Sequence, residues 1–159
     1  MNVTMRDRFC ADAPAYVHRM VSSSHEAMHR QKHSSWAYYV AYLSAEYRMP
    51  PLLLIVCQDE KTARWANKPY HLGAPLWPTL TVRPLVLGPH NMPVITEVAA
   101  AAEDIPVAAF SAITHSRHPQ ADTMLRALSD ALRKADPDTA DIFKEITELG
   151  LGGSPAAGL

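Results

Sequence analysis

The apolar run Leu-Leu-Leu-Ile-Val-Cys at residues 52–57 directly follows two prolines. This feature constrains the possible fold of the chain more than any other. Pro50 and Pro51 remove backbone donors and clash with a preceding helical turn, so a helix cannot continue across them. A continuous apolar run of this length is typical of a strand buried on both faces. The sequence therefore predicts a central strand over 52–57.

Helices are predicted on both sides of this strand. Before it, apolar residues spaced by three and four predict an amphipathic helix over about 35–48: Trp36, Tyr39, Val40, Leu43 and Tyr47. After it we expect a short helix over 61–66, a loop, and a second strand over 79–87, in which Pro84 indicates an edge or a bulge.

From residue 96 onward the pattern is helical. Helices are predicted from a cap at Thr96 to about residue 102, over 105–113, from Pro119, and from Pro137 to Gly150. Together these elements predict an α/β fold in which a small sheet has flanking helices and a C-terminal helical segment.

Length and composition narrow the class of protein. The chain has 159 residues, of which 48% are apolar, and this fits one globular domain rather than a disordered chain. Its apolar run is far shorter than the roughly 18 residues that a membrane span needs, and no secretory signal is visible, so we expect a cytoplasmic protein without membrane contact. Cys10 and Cys57 are too few for a disulfide framework and are expected to be inert or buried thiols.

The charges are unevenly distributed along the chain. Residues 1–60 are balanced, whereas residues 97–159 hold five basic and ten acidic residues. Residues 61–96 contain no acidic residue and four basic ones, namely Lys61, Arg64, Lys68 and Arg83. So few charges predict at most a weak contact with DNA, because a dedicated nucleic-acid-binding domain carries a denser basic patch.

One short motif is suited to zinc chemistry. His25-Glu26-Ala27-Met28-His29 matches HExxH, which on a helix places two histidines on one face to share a zinc ion while the glutamate activates its water. A third ligand is not evident, although Glu46 is a nearby carboxylate. The favoured alternative is a capping box. In it the Ser23 side chain caps a helix, and the Glu26 side chain accepts a hydrogen bond from the backbone amide of Ser23.

A second motif is suited to magnesium chemistry. Asp59 and Lys61 are two residues apart, and on a strand they would project to the same side, as a magnesium-dependent nuclease needs to hold its metal and attacking water. This geometry requires the strand to continue through Lys61. The favoured alternative is a polar turn in which Asp59 caps the following helix.

Several ordered segments carry a family likeness. They are MVSSSHEAMHR (20–30), SSWAYYVAYLSAEY (34–47), PPLLLIVCQDEKTARWA (50–66), LTVRPLVLGPHNMPVIT (80–96) and DIPVAAFSAITHSRHP (104–119). Together they resemble a bacterial family of hypothetical proteins that is similar to PD-(D/E)xK nucleases, specifically to recombination-promoting nucleases and transposase-related proteins. The resemblance implies a restriction-endonuclease-like sheet and places HEAMHR on an N-terminal helix rather than at a zinc site.

The resemblance also implies a segment that this chain lacks. In the family, a long segment between the HEAMHR and SSWAYY helices carries the strands with the catalytic carboxylates. Here only Gln31, Lys32 and His33 separate Arg30 from Ser34. No residue inherits a catalytic role, so we expect an incomplete restriction-endonuclease-like sheet, no catalysis and no cofactor. Magnesium or zinc is expected only if one of the two motifs above is functional.

The same comparison sets the expected domain organisation. We expect an N-terminal extension over 1–19, outside the resemblance, a single truncated nuclease-like domain over 20–150, and a flexible tail over 151–159. Loss of two central strands should uncover apolar faces of the Trp36 helix and the Leu52 strand. We therefore expect self-association or a protein partner that covers them.

Overall fold

A computed structural model describes residues 15–20 and 26–152, with side-chain surroundings from residue 32 onward. The predicted tail over 151–159 lies largely outside the described residues. In chain order the elements are β1 (Ala15–Met20), α1 (Glu26–Tyr47), β2 (Leu52–Cys57), α2 (Glu60–Ala66), β3 (Tyr70–Ala74), β4 (Trp77–Val82), β5 (Leu85–Leu87), α3 (Val98–Glu103), α4 (Ile105–Thr114), α5 (Ala121–Leu132) and α6 (Pro137–Leu151).

Three parallel strands form the main sheet in the order β1-β2-β5, so the predicted central strand lies in the middle. β1 pairs with β2 along its whole length, from Ala15 opposite Leu52 to Met20 opposite Cys57. The expected boundary between an extension over 1–19 and a domain from residue 20 therefore falls inside a strand of this sheet. β3 and β4 form a separate antiparallel hairpin.

β2 divides the hydrophobic core into two layers, because successive side chains of a strand point to opposite faces. Leu54 and Val56 pack into the layer formed with α3–α6. Leu53, Ile55 and Cys57 pack into the layer formed with α1, α2 and the hairpin. Both faces of β2 are buried as predicted, and the α/β class with a small sheet, flanking helices and a C-terminal helical segment is confirmed.

The apolar faces that we expected to be uncovered are buried within the chain. Trp36 is fully buried, and on β2 only Leu52, at the start of the strand, is exposed. The Trp36 ring packs against those of His33, Trp65 and Tyr70, with centroids 5.4, 5.8 and 6.1 Å away. Because α1, α2 and the hairpin cover this side of the sheet, any partner must bind other side chains.

The prediction of one strand over 79–87 is wrong. The segment is divided between β4, which belongs to the hairpin, and β5, which belongs to the main sheet. Pro84 lies between them, where it cannot donate to a strand ladder. The preceding loop was also predicted too long, since it contains β3 and the start of β4. Gly73, with φ of 128°, lies at the register shift that bends the hairpin.

A single helix, α1, runs from Glu26 to Tyr47, although the periodicity predicted a start near residue 35. Gln31, Lys32 and His33 contain no helix-breaking residue, so the HEAMHR and SSWAYY segments join without a gap. The helix ends before Arg48, which has a φ of 53°. This left-handed conformation is usual after a helix but normally belongs to glycine.

Replacing Arg48 with glycine is therefore expected to stabilise the protein by about 0.5–1 kcal/mol. Removing the side chain relieves a left-handed conformation that costs an L residue roughly 1–2 kcal/mol, and the greater freedom of glycine in the unfolded chain cancels part of that gain. Urea unfolding measures the difference. The control is Arg133→Gly, because Arg133 also follows a helix but has an ordinary φ of −64°, and there glycine should destabilise.

The C-terminal helices were predicted well except at their ends. Glu97, not Thr96, directly precedes α3, and its side chain makes no cap hydrogen bond. Asp136 caps α6 by accepting from the Thr139 amide at 2.9 Å. α6 continues through Gly150 to Leu151 rather than stopping at the glycine. Gly150 is needed for packing instead, because a Cβ there would lie 2.5 Å from Cδ1 of Ile113 on α4.

Candidate functional site

The strongest candidate site lies at the carboxyl edge of the parallel sheet. β2 ends at Cys57 and is followed by Gln58 and Asp59, and β5 ends at Leu87 and is followed by a polar turn at 88–92. In open α/β sheets, ligands bind outside the carboxyl ends of the strands, because loops from several strands meet there. The polar residues after β2 and β5 are thus placed where this fold type carries its sites.

Specific hydrogen bonds hold the loops at this edge together. The Gln58 side-chain amide donates to the carbonyl oxygen of Gly150 at 3.1 Å, which ties the end of β2 to the end of α6. Nε2 of His115, after α4, lies 3.0 Å from the carbonyl oxygen of Met92. The Asn91 amide donates to the Val86 carbonyl, and its oxygen accepts from the Gly88 amide. These contacts give the edge a fixed backbone.

Two buried polar atoms at this edge have no hydrogen-bond partner. They are Oε1 of Gln58 and Oγ of Ser116, in side chains that are only 6% and 4% exposed. Buried polar groups are almost always hydrogen-bonded, and an unpaired one marks a place for water or a ligand. The free Oε1 of Gln58 can accept hydrogen bonds, and the Ser116 hydroxyl can donate or accept.

Asp59 and Arg117 supply the charges of the site. The pKa of Asp59 is lowered chiefly by the hydrogen bond from the Thr62 hydroxyl, which outweighs the raising effect of burial. The amides of Thr62 and Lys61 and the positive charge of Arg117 lower it further. The carboxylate is therefore ionised at neutral pH and lies within electrostatic reach of an exposed guanidinium.

The local structure of Asp59 decides what it can do chemically. Its Oδ2 accepts from the Thr62 amide at 2.8 Å and from the Thr62 hydroxyl, so it is the N-cap of α2. β2 ends at Cys57, and Lys61 is the second residue of α2. The extended geometry through Lys61 that a nuclease site would need is not formed, and the capping alternative is confirmed.

Stability is expected to depend on pH through this cap. Since the folded pKa of Asp59 is lowered, the ionised cap stabilises the fold above the unfolded pKa of about 3.9, and this contribution is lost as pH falls through the folded pKa. Asp59→Ala should cost about 1 kcal/mol at pH 7 and clearly less at pH 3, as measured by urea unfolding. Asp59→Asn, which still caps but cannot titrate, should be nearly as stable as wild type at pH 7.

The zinc motif lies mostly beyond the described side chains. His25 is outside the described residues, and Glu26 and His29 lie on the first turns of α1, where only the backbone is described. Glu46 is on the same continuous helix, 17 residues after His29 and thus about 25 Å away along the axis. Glu46 therefore cannot complete a zinc site with these residues, and the HExxH motif stays a prediction.

The four basic residues of the acid-free segment are all exposed. Lys61 and Arg64 lie on α2, where Arg64 is paired with Glu60 at 2.5 Å. Lys68 precedes β3 and Arg83 follows β4, and because Tyr70 pairs with Val82, both lie at the base of the hairpin. Arg64 is thus partly neutralised, which leaves three cations over a helix and a hairpin base rather than one dense patch.

Cys57 lies beside this edge, and its thiol is buried. Burial raises the pKa of its thiol to about 12, the Asp59 carboxylate raises it further, and the ammonium of Lys32 opposes both. Burial also lowers the pKa of Lys32. The predicted burial of Cys57 is confirmed, and a buried thiol that stays protonated is a poor nucleophile. Cys10 lies outside the described residues.

No protein-family model matches the chain, and no curated protein or solved structure is significantly similar to it. Within residues 26–152 and 15–20, no helix is both long and apolar enough to cross a lipid bilayer. In the same part of the chain, no three His, Cys, Asp or Glu side chains are grouped as metal ligands.

Sequence reasoning did not find that the loop with Ser116 and Arg117 lies near the loop with Gln58 and Asp59, a proximity that the effect of Arg117 on the pKa of Asp59 indicates. The two loops are 58 positions apart, and no local pattern reports that a helix end lies beside a strand end. One sequence signal pointed to this place. Gln58 and Asp59 directly follow the predicted central strand, and polar residues after a parallel strand lie at the sheet edge where ligands bind. Asp59 was singled out, but for a chemistry that its capping role does not support.

Proposed function

We propose that the protein is a truncated, noncatalytic relative of the PD-(D/E)xK nuclease-like family that acts as a binding module in the cytoplasm. The observation that carries this proposal is the continuity of α1 through Arg30 and Ser34. The resemblance places the catalytic strands between these two residues. An unbroken helix in their place, with both faces of β2 buried, is what a tolerated internal deletion would produce.

The polar edge of the sheet supports binding rather than cleavage. Asp59 is engaged as a cap, while Gln58 and Ser116 retain unused hydrogen-bonding capacity beside the exposed Arg117. A ligand with an anionic group and a hydrogen-bond donor would satisfy Arg117 and Gln58 together. Recognition of such a ligand needs neither a metal nor a nucleophile.

A cleavage assay with matched variants tests the proposal. Wild-type protein should not cleave single- or double-stranded DNA in Mg²⁺ or Mn²⁺ above the level of a mock purification. Asp59→Asn and Lys61→Ala test the residual-nuclease alternative, and Asp136→Asn is the control, because Asp136 caps α6 as Asp59 caps α2. Metal-dependent cleavage lost in the first two variants and kept in the control would refute a noncatalytic role.

Zinc titration tests the other enzymatic alternative. We expect no stoichiometric zinc binding by calorimetry in wild-type protein and no difference from His29→Ala. Tight one-to-one binding that is lost in His29→Ala would instead support a zinc hydrolase that uses His25 and His29, with Glu26 as the base.

Weak DNA contact remains a second candidate, favoured by the absence of acidic residues over 61–96. It predicts micromolar or weaker binding that disappears between 50 and 200 mM salt. A double variant, Lys68→Ala with Arg83→Ala, should reduce it. Lys144→Ala, on the acidic C-terminal segment, should leave it unchanged.

A further inference from the structure

The outer half of the β3–β4 hairpin projects from the domain. Tyr70 and Val82, at its base, are buried, whereas residues 73–81 are exposed at every position and are called the hairpin tip below. Successive side chains of a strand point to opposite faces, so the exposure of β4 from Trp77 to Thr81 leaves both faces of this strand uncovered beyond the base. The two strands pack chiefly against each other. A projecting hairpin of this kind is placed to contact something outside the domain.

The hairpin tip is apolar and uncharged. Leu76 is 96% exposed, Trp77 is 78% exposed and Leu80 is 43% exposed. The sequence has no aspartate, glutamate, lysine or arginine over residues 69–82. A single exposed apolar residue is normal on a protein surface, but three large ones on one projecting turn mark an interaction surface.

Both strands of the hairpin resist pairing with a strand of a second copy or of another protein. Pro78 lies inside β4 and has no amide hydrogen to donate to a further strand. The register shift between Leu72 and Gly73 bends β3. Prolines and bulges of this kind are the devices that prevent exposed strands from pairing edge to edge. The nine residues of the hairpin tip are also too few for a stable protein interface, which needs about 20–30 residues from each partner.

The charges around the hairpin lie only at its base. Lys68 precedes β3 and Arg83 follows β4, and because Tyr70 pairs with Val82, the two cations lie at about the same distance from the tip. Both are exposed, and residues 61–96 contain no acidic residue that could neutralise them. Cations behind an uncharged apolar tip match a surface whose anionic groups lie above an apolar interior. A DNA groove differs, because the floor beneath its phosphates is lined by hydrogen-bonding base edges.

The dimensions of the hairpin match the surface of a lipid bilayer. Interfacial segments bury their apolar side chains about 5–10 Å deep, at the boundary between headgroups and acyl chains. From Tyr70 to Ala74, β3 rises about 13 Å, so a tip inserted to that depth leaves the base at the level of the headgroups. We propose that the hairpin tip inserts into the surface of a bilayer that contains anionic phospholipid, with Lys68 and Arg83 held at the headgroups.

This surface contact goes beyond the proposed function and does not use the polar edge of the sheet. The sequence predicted no membrane contact because no segment is long enough to span a bilayer, but surface insertion needs no spanning segment. Tryptophan suits this position, because its ring is apolar and its indole N–H can still donate to a headgroup or to water.

Flotation of the full-length chain with vesicles tests the proposal. We expect binding to vesicles of phosphatidylcholine with about 30% phosphatidylserine, and about tenfold weaker binding or less to phosphatidylcholine alone. Leu76→Ser with Trp77→Ser should weaken binding to the anionic vesicles about tenfold or more. Tyr38→Ser with Val94→Ser is the matched control, because these residues are 65% and 42% exposed outside the hairpin, and it should bind as wild type does.

The cations at the base are tested separately. Lys68→Ala with Arg83→Ala should weaken binding to the anionic vesicles about 10- to 30-fold, since each basic residue near an anionic surface contributes roughly fivefold. Lys144→Ala, on α6, is the control and should have no effect. The remaining binding of the double variant should depend less on salt than that of wild type.

Fluorescence quenching locates the inserted residue. Lipids with brominated acyl chains should quench the emission of wild-type protein and leave that of Trp77→Phe nearly unchanged, because Trp36 is buried in the core. Absence of vesicle binding, equal binding by the tip variant, or equal quenching of Trp77→Phe would overturn the proposal. DNA binding without vesicle binding, lost in the tip variant, would also overturn it and would identify a nucleic acid as the partner. A dimer in sedimentation that is lost in the tip variant would do the same for a second copy.

Discussion

Trp36→Ala is expected to destabilise the protein by about 3–5 kcal/mol, the usual cost of removing a buried tryptophan. Trp36 is the largest fully buried side chain of the layer between the sheet, α1 and the hairpin. Its ring meets three others within about 6 Å, so neighbouring side chains cannot collapse far into the space it leaves. For a domain whose total stability is typically 5–15 kcal/mol, this loss leaves only a small margin.

Thermal and urea unfolding measure this effect. We expect a fall in Tm on the order of 10 °C, because 1 kcal/mol corresponds to roughly 2–4 °C in a domain of this size. Trp77→Ala is the matched control, since Trp77 is 78% exposed at the hairpin and its removal should change stability by less than about 0.5 kcal/mol. Equal effects of the two substitutions would mean that the Trp36 layer does not contribute to the core.

Ile113→Ala is expected to cost about 2–5 kcal/mol and to be partly rescued by a second change, Gly150→Ala. Ile113 is buried in the layer formed with α3–α6. A Cβ added to Gly150 would lie 2.5–3.0 Å from three carbons of the Ile113 side chain. Gly150→Ala alone should therefore destabilise by about 1–3 kcal/mol through overpacking. When Ile113 is already shortened, the added methyl occupies space that would otherwise be a cavity.

A double-mutant cycle measures the coupling between these two positions. We expect an interaction free energy on the order of 1 kcal/mol or more, with the double variant more stable than the sum of the single effects predicts. Gly150 is also the residue whose carbonyl accepts from Gln58, so the polar edge depends on this packing. Strict additivity would contradict the close approach of α4 and α6.

Local sequence patterns predicted most of the helices and the central strand. The run at 52–57 is buried on both faces, and Asp59 and Asp136 act as caps through ordinary short-range hydrogen bonds. Such features depend on a few neighbouring residues, and periodicity reports them directly.

The elements that were missed depend on distant partners. β1 acquires its role only by pairing with β2 more than thirty residues later, and the break at Pro84 separates two strands that alternate smoothly in sequence. The candidate site was missed for the same reason, because Gln58 and Ser116 belong to loops that only the folded chain brings to one edge. The length of α1 was underestimated because residues 31–33 are polar and show no helical spacing of apolar residues.

We expect this chain to close one cooperative core around β2, with helices packed on both faces of the strand. Equilibrium urea unfolding of a Trp77→Phe variant tests it most directly. Tryptophan fluorescence then reports on Trp36 and Trp65, in the layer formed with α1, α2 and the hairpin. Far-ultraviolet circular dichroism is dominated by the helices, most of which lie in the layer formed with α3–α6. Coincident, single, cooperative transitions are the predicted result. Two separate transitions, or a broad loss of signal without a baseline, would contradict a core shared through β2.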